Sequence, residues 1–586
     1  MNSCKRLALL CLLATLGLCA QASAASVTVS PLPGTPAAMP QTQISFLGAP
    51  ASALSGISVV GSSSGRHSGH LRSYSSATGA SFLVSKPFTP GERVRVHAIL
   101  TSGKSARSLS TFFTVAQPVA PTSAEFPIVA GTPADIQNFQ SAPSLHPPTV
   151  VIHQPASSVA PGYVFAAPFQ GPGQWGPMIL DNAGQLVWFH QVPAGEDAAD
   201  FKVQSFRGHN DLTWWQGKTI ILGYGLGEDV IANSAYHTVA VVKAGNGLPT
   251  DEHEFTVLGN GAALVSAYGP VQADLSAAGG PSNGVAVDCA VQEIDIRTGL
   301  VMWEWDSLGH VGVAESHSPP PTAAVNPYDY FHLNSIERLK NGNFLISARN
   351  TWALYELNAH TGAVIWRLGG KQSTFALGPN VQFAWQHDAS MLPNGEISLF
   401  DDEGAPPVHP PSRGEFIRLD AKTKTATLAG QLVRTIGPLS TASQGDVQPL
   451  PDGNWMVGWG GLPNFTEFNS GGQIVFDGQF PAGEYSYRVY REPWSGQPSE
   501  PPAILARTAG ATTAVYASWN GATAVASWQL LTGASAGHLA PVSITPRSGF
   551  ETVIGAPAAA AFFQVRALSA SGKVLGSSKA VAPTSG

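Results

Sequence analysis

The sequence has little charge. Lys, Arg, Asp and Glu make up 12% of its 586 residues, and the formal net charge is −7. No long run of either sign occurs, so nothing reads as a nucleic-acid surface. Cysteine is scarce as well. Of four, Cys4, Cys11 and Cys19 fall in the first 24 residues, which leaves Cys289 without a partner for an intramolecular disulfide. A lone cysteine of this kind reads as a small buried hydrophobe. Helical periodicity is nearly absent, and no later segment is apolar enough to span a membrane. Neither a P-loop nor a Rossmann fingerprint is found, so nothing demands a nucleotide.

What is abundant is turn chemistry. The chain has 62 Gly and 46 Pro beside 44% hydrophobic residues, the composition of a folded, turn-rich chain and not a disordered one. Its length implies more than one domain. Residues 1–24 read as a signal peptide: Lys5 and Arg6, an apolar core over 7–20, and the small-residue site Ala22-Ser23-Ala24. Leu18 before Cys19 argues against a lipid anchor. The chain is expected to be exported, periplasmic or secreted, with no membrane insertion after signal removal.

Residues 26–118 hold short strand-like runs at sandwich spacing, such as TQISFLG, GASFLVS and GERVRVHAIL. His67 and His70, in GRHSGHL, read as a solvated turn. A Pro/Ala/Ser-rich linker covers 119–146. From 147 to 495 two kinds of hairpin alternate. One has a Thr-Gly, Ala-Gly or Gly-Gly turn and often ends in Trp; its instances start at 178, 239, 291, 353, 416 and 465. The other has an Asn-Gly or Asp-Gly turn and spans 253–268, 332–349, 387–402 and 444–460, with a weaker copy at 210–225. Repeated four-stranded units predict an all-β fold, a six-bladed β-propeller. Residues 499–583 read as a second sandwich with fibronectin type III-like patterning, so the propeller is flanked by N- and C-terminal β-sandwich (Ig-like) domains.

Three of the Asn-Gly units carry a histidine at the entry to their first strand: His253, His332 and His387. In a propeller that entry opens on the channel mouth, so the three converge there. The fourth unit has Gln444-Gly445 instead. Arg349 ends the SAR run and can turn back to the same mouth. Three histidines also suit zinc. Each belongs to a different unit, however, and no carboxylate stands beside them in a known ligand spacing. Asp388 directly follows His387 and on a strand points to the opposite face. No metal is therefore expected. The alternative is a histidine nucleophile acting on a sulfuryl or phosphoryl centre, with Asn334, Arg349 and the other histidines meeting the charge on the transferred group and moving protons.

The ordered set FHLNSI…LISAR, FAWQHDA…NGEISLFDD and SRGEFIRLD resembles the bacterial arylsulfate sulfotransferases and the wider arylsulfotransferase family, over roughly 150–495. The resemblance implies a propeller that moves a sulfuryl group from an aryl sulfate to a phenol by a ping-pong route through a sulfohistidine. It implies no cofactor and no 3′-phosphoadenosine-type donor. By motif, His387 matches the nucleophile, His332 and Asn334 the HxN pair, Arg349 the SR arginine and His253 the first-blade histidine. Ser443 falls near an assisting hydroxyl, and Arg413 is a further substrate-binding member. Relatives show an LFDN-like ending where this chain has Asp401-Asp402, and the added charge of Asp402 is expected to weaken action on anionic donors. Two other readings stay open: a secreted propeller binding carbohydrate or a surface polymer, and a lyase or hydrolase working on sulfated polymers. The oligomeric state stays open too.

Overall fold

The hairpin turns set the architecture. Leu258, Leu339, Leu392 and Leu450 each open a three-residue loop that ends in glycine. The N–H groups of Gly261, Gly342, Gly395 and Gly453 donate back to the leucine carbonyls at 2.9–3.1 Å. Each glycine has φ between +83° and +90°, a backbone that side chains rarely adopt. Asn260, Asn341, Asn394 and Asp452, just before the glycines, each accept the N–H two residues on through a side-chain oxygen, at 2.9–3.0 Å. The same turn, built four times by the same residues, fixes the register of four hairpins.

The computed structural model describes residues 27–121 and 124–585; the signal segment lies outside them. Among the described residues all regular structure beyond short 3-10 turns is β-strand, and no helix is long and apolar enough to cross a membrane. Many antiparallel sheets are present and no closed barrel. Six strands position the site: β1 (Asp197–Phe206), β2 (Thr250–Val257), β3 (Leu333–Arg338), β4 (His387–Met391), β5 (Asp446–Pro449) and β6 (Val489–Glu492). Each lies against the next, and β6 lies against β1, so they form a closed circuit. Further antiparallel strands extend outward from each. The sheets on β1 and β2 are linked by a single pair, Gly227 with Thr250. Two sheets are completed by distant chain: Val151–Gln154 pairs with Ile474–Gln479, and Tyr163–Ala166 with β6.

Two four-stranded sheets near the N-terminus share a core that includes Phe46, Phe82, Val94 and Phe113. Two more near the C-terminus share one around Val515, Trp528, Phe563 and Val565. The N-terminal unit packs on the strand Leu300–Asp306, where Ser81 Oγ donates to the Val301 carbonyl at 3.3 Å.

Several sequence expectations need correction. The weak copy at 210–225 is not a hairpin. Residues 209–219 form one strand, and the ring strand is the preceding β1, joined by a turn at Arg207-Gly208. Gly217, taken for a turn residue, serves close approach: a Cβ there would lie 2.5 Å from Gly227 Cα. The run at 239–255 leaves the edge strand Thr238–Val242 of one sheet and enters β2 of the next. His67 and His70 lie in the strands Gly65–His67 and Gly69–Ser73. The 119–146 segment is laid against the repeats, with Glu125 bridged to Ile220 and Phe126 on a cavity wall.

Candidate active site

Strands β2, β3 and β4 each deliver a histidine. His253 is the fourth residue of β2, His332 immediately precedes β3, and His387 opens β4. Each hairpin shifts register close to its histidine: between Thr250 and Phe255, Leu333 and Ser335, and His387 and Ser390. Bulges of this kind bend a strand and re-aim a side chain. His332 has φ +60°, a conformation that persists only where the surroundings hold it. All three imidazoles are buried, and one ring nitrogen of each lies within 4.8 Å of one from each of the others. They border a cavity of about 690 Å³ that Arg349, Asn350, Ser443, Gln444 and Tyr487 also line.

A carboxylate meets Nδ1 of every ring. Asp251 Oδ2 is 2.7 Å from His253, Asp402 Oδ2 is 2.7 Å from His387, and Asp329 Oδ2 contacts His332. A carboxylate at Nδ1 holds the hydrogen there and leaves the Nε2 lone pair free. At His387 the second nitrogen supports the same tautomer, because the Gln444 backbone N–H donates to Nε2 at 3.3 Å.

Burial lowers His387 well below the usual imidazole range, and the Arg349, His253 and His332 charges lower it further. The ring is neutral at neutral pH. Burial also lowers His332, against the pull of Asp329. Asp402 is pushed up by burial, with Arg349 opposing. The Gln444 contact places the shared proton on Nδ1, so Asp402 is the accepting carboxylate. Burial alone would raise Asp251, but His253 outweighs it and holds the carboxyl low. Its neighbour Glu252 is pushed well up by burial and by Asp251, stays protonated, and lines the cavity.

Arg349 is held without an ion pair. Nη1 donates to Asn350 Oδ1 at 2.9 Å, Nη2 donates to the Ala442 carbonyl at 2.8 Å, and the guanidinium lies 4.7 Å over the Trp385 ring. Its enclosed Nε has no partner among the described residues. A guanidinium with a spare donor on a polar cavity is equipped to take an oxyanion.

Beneath the histidines the axis is filled by charge. Arg488 pairs with Asp200 and Glu254 at 3.2 Å and approaches Asp388 at 3.6 Å. Lys202 pairs with Asp200 and Glu254 at 2.7 and 3.1 Å. These groups come from β1, β2, β4 and the approach to β6, and they tie the circuit together below the cavity.

The structure thus brings together His253, His332, His387, Arg349 and Ser443, and it separates two expected members. Asn334 is fully buried, donates to the Gln386 carbonyl at 2.7 Å, and does not line the cavity. Arg413 faces a different cavity, bonded to Asp401 at 3.0 Å and Glu415 at 3.3 Å. Two buried carboxylates hold it there. Asp402, read from sequence as a stray charge, is the partner of His387. Asp251 and Asp329 escaped the sequence reading. Their signal was the spacing Asp-x-His at 251–253, which shares one strand face, and Asp-x-x-His at 329–332.

Residues 202–481 match the family model described as Arylsulfotransferase (ASST). Comparison with curated proteins gives no match. Among solved structures the chain is similar to a protein of unknown function from Bacteroides caccae, with 12% identity over 56% of this chain and 98% of that one and a TM-score of 0.35. It is also similar to virginiamycin B lyase from Staphylococcus aureus, with 8% identity over 64% and 97% and a TM-score of 0.30. A Lactobacillus plantarum protein shows 12% identity over 68% and 100%, with a TM-score of 0.29. These structural likenesses are weak and carry no functional weight. The matched span contains all three histidines, their carboxylates and Arg349, and it supports the resemblance to the arylsulfotransferase family.

Proposed function

We propose that the protein is an exported arylsulfate sulfotransferase that passes a sulfuryl group from an aryl sulfate to a phenol through a sulfohistidine at His387, with no nucleotide donor. In this reading the closed circuit of six strands is the inner wall of a six-bladed β-propeller over 147–495. The sheet pairs on either side are Ig-like or fibronectin III-like sandwiches, over 26–118 and 499–583, and 119–146 joins the first to the propeller.

The observation that carries the reading is the pairing of a neutral, carboxylate-held His387 with an Arg349 whose Nε has no hydrogen-bond partner among the described residues, on one cavity wall. Nε2 of His387 attacks sulfur, the bond from sulfur to the aryl oxygen breaks, and a phenolate leaves. The ring keeps its Nδ1 hydrogen and becomes positive, a charge that Asp402 offsets. Arg349 Nε donates to a sulfuryl oxygen as negative charge shifts in the transition state. His332 or His253, protonated at Nε2 when the anionic donor enters, gives its proton to the leaving oxygen. The same group later takes a proton from the acceptor phenol, whose oxygen attacks sulfur while the sulfur–nitrogen bond breaks. Ser443 lines the same cavity.

The test is donor alone. Enzyme mixed with sulfur-labelled p-nitrophenyl sulfate and no acceptor is expected to release about one equivalent of phenol and retain acid-labile label on His387. His387→Ala abolishes both. Absence of label and of phenol across a broad donor panel refutes the reading.

A further inference from the structure

The carboxylates at Nδ1 change the chemistry open to the cluster. In sequence the three histidines come from different units and no carboxylate stands beside them in a known ligand spacing, so no metal is expected from it. In the structure every histidine has a carboxylate: Asp251, Asp329 and Asp402. A metal-binding histidine almost always presents one nitrogen to the ion and gives its other N–H to a carboxylate or carbonyl, which fixes the tautomer and raises ligand basicity. All three rings show that pattern, with Nδ1 taken.

The distances suit one ion. One nitrogen of each ring is within 4.8 Å of one from each of the others. A tetrahedral ion with metal–nitrogen bonds of about 2.1 Å holds its ligands about 3.4 Å apart, so any pair must close by at most about 1.4 Å. The fourth position would open on the cavity. The charges suit it as well. A carboxylate stands at each of the three rings, and Arg349 lines the cavity with them. Carboxylates at all three imidazoles favour a cation among the rings. No proton need leave, since the Nε2 lone pairs are free; only the long Gln444 N–H contact to His387 gives way.

We propose that His253, His332 and His387 form a binding site for one divalent ion of the zinc class, and that the bound ion reversibly silences the centre by occupying the lone pair of His387. The first half stands on the cluster alone; the second rests on the transferase reading above. The ion would be an inhibitor sharing the three rings with the anionic donor, and not a participant in transfer.

The test uses the full-length protein, stripped with a chelator. Zinc chloride is titrated by calorimetry, and cobalt chloride by its visible absorption, which reports tetrahedral coordination. The expected result is one site per chain. Affinity falls at least about a hundredfold in His253→Ala and in His332→Gln, and about tenfold or more in Asp251→Asn, which leaves all three ligands in place. Thermal melts without metal identify a variant that fails to fold, and the remaining two then decide. No stoichiometric binding by the wild-type protein overturns the site. So does binding that all folded variants retain, because the ion then sits elsewhere. With p-nitrophenyl sulfate turnover as the second readout, stoichiometric zinc abolishes release of phenol and excess chelator restores it. Full turnover by zinc-loaded protein overturns the silencing while leaving the site. A protein that binds zinc but never turns over donor supports the site and refutes the transferase.

Discussion

Replacing Asp402 with asparagine separates two opposed roles for that residue. If Asp402 only adds negative charge near an anionic donor, Asp402→Asn relieves repulsion, lowers the donor KM and raises kcat/KM. The structure places its carboxylate 2.7 Å from His387 Nδ1, where it offsets the positive charge that grows on the ring as Nε2 bonds to sulfur. With charge centres about 4.5 Å apart and an effective dielectric of about 20, that attraction is about 3.7 kcal/mol. The asparagine oxygen keeps the hydrogen bond and the tautomer but not the charge. If half to all of the attraction acts in the transition state, sulfation of His387 slows by roughly 20- to 500-fold. Stopped-flow absorbance of p-nitrophenolate, with donor and no acceptor, reads this step directly. The expected result is a full-amplitude burst at the reduced rate, with donor affinity little changed. An unchanged or faster burst refutes the charge-offsetting role.

Other expectations follow from the same contacts. Arg349→Met removes the spare donor and should slow transfer by about a hundredfold or more. Because Arg349 makes no salt bridge among the described residues, the unfolding free energy from urea titration should stay within about 0.5 kcal/mol of wild type or rise; a large destabilisation would show that the arginine braces the fold. Arg413→Ala should do the reverse. It leaves the buried Asp401 and Glu415 unpaired, costs about 3 kcal/mol in denaturant unfolding, and leaves donor KM unchanged; a raised KM would return Arg413 to the site. His387 and His332 have pKa values lowered on folding, so the unfolded chain binds more protons. Their contribution to stability is complete above about pH 6.5 and is lost as pH falls toward the folded values. The urea midpoint should drop from pH 7 to pH 5, and drop less in His332→Gln; an equal drop places the linkage in other groups.

The hairpins were legible because their turns are chemical. Asparagine or aspartate before a left-handed glycine stands at all four strong Asn-Gly and Asp-Gly units, and the structure shows the same hydrogen bonds at each. The matched histidines followed from that alignment. The 210–225 copy misled because Gly217 is there for close approach to Gly227, and sequence does not separate a turn glycine from a crowded one. Arg413 is assigned in sequence by a motif shared with a catalytic arginine, while what holds it, Asp401 and Glu415, is settled by packing. Asp402 is fifteen residues from His387, and only the cross-strand register of β4 with its partner brings the two together. A pattern read along the chain reports spacing on one strand; it does not report which neighbour a bulge turns a side chain toward.

The interlaced closure has a consequence for how this chain is made. Val151–Gln154 pairs with Ile474–Gln479, and Tyr163–Ala166, beside its near neighbour Met178–Leu180, pairs with Val489–Glu492, more than three hundred residues later. Joining segments so far apart is entropically slow. Tyr487, which lines the histidine cavity, and Arg488, which pairs with Asp200 and Glu254, arrive with that last segment. A growing chain therefore holds all three histidines before it holds the complete cavity wall. The cavity wall is complete only when the two ends of the repeats meet.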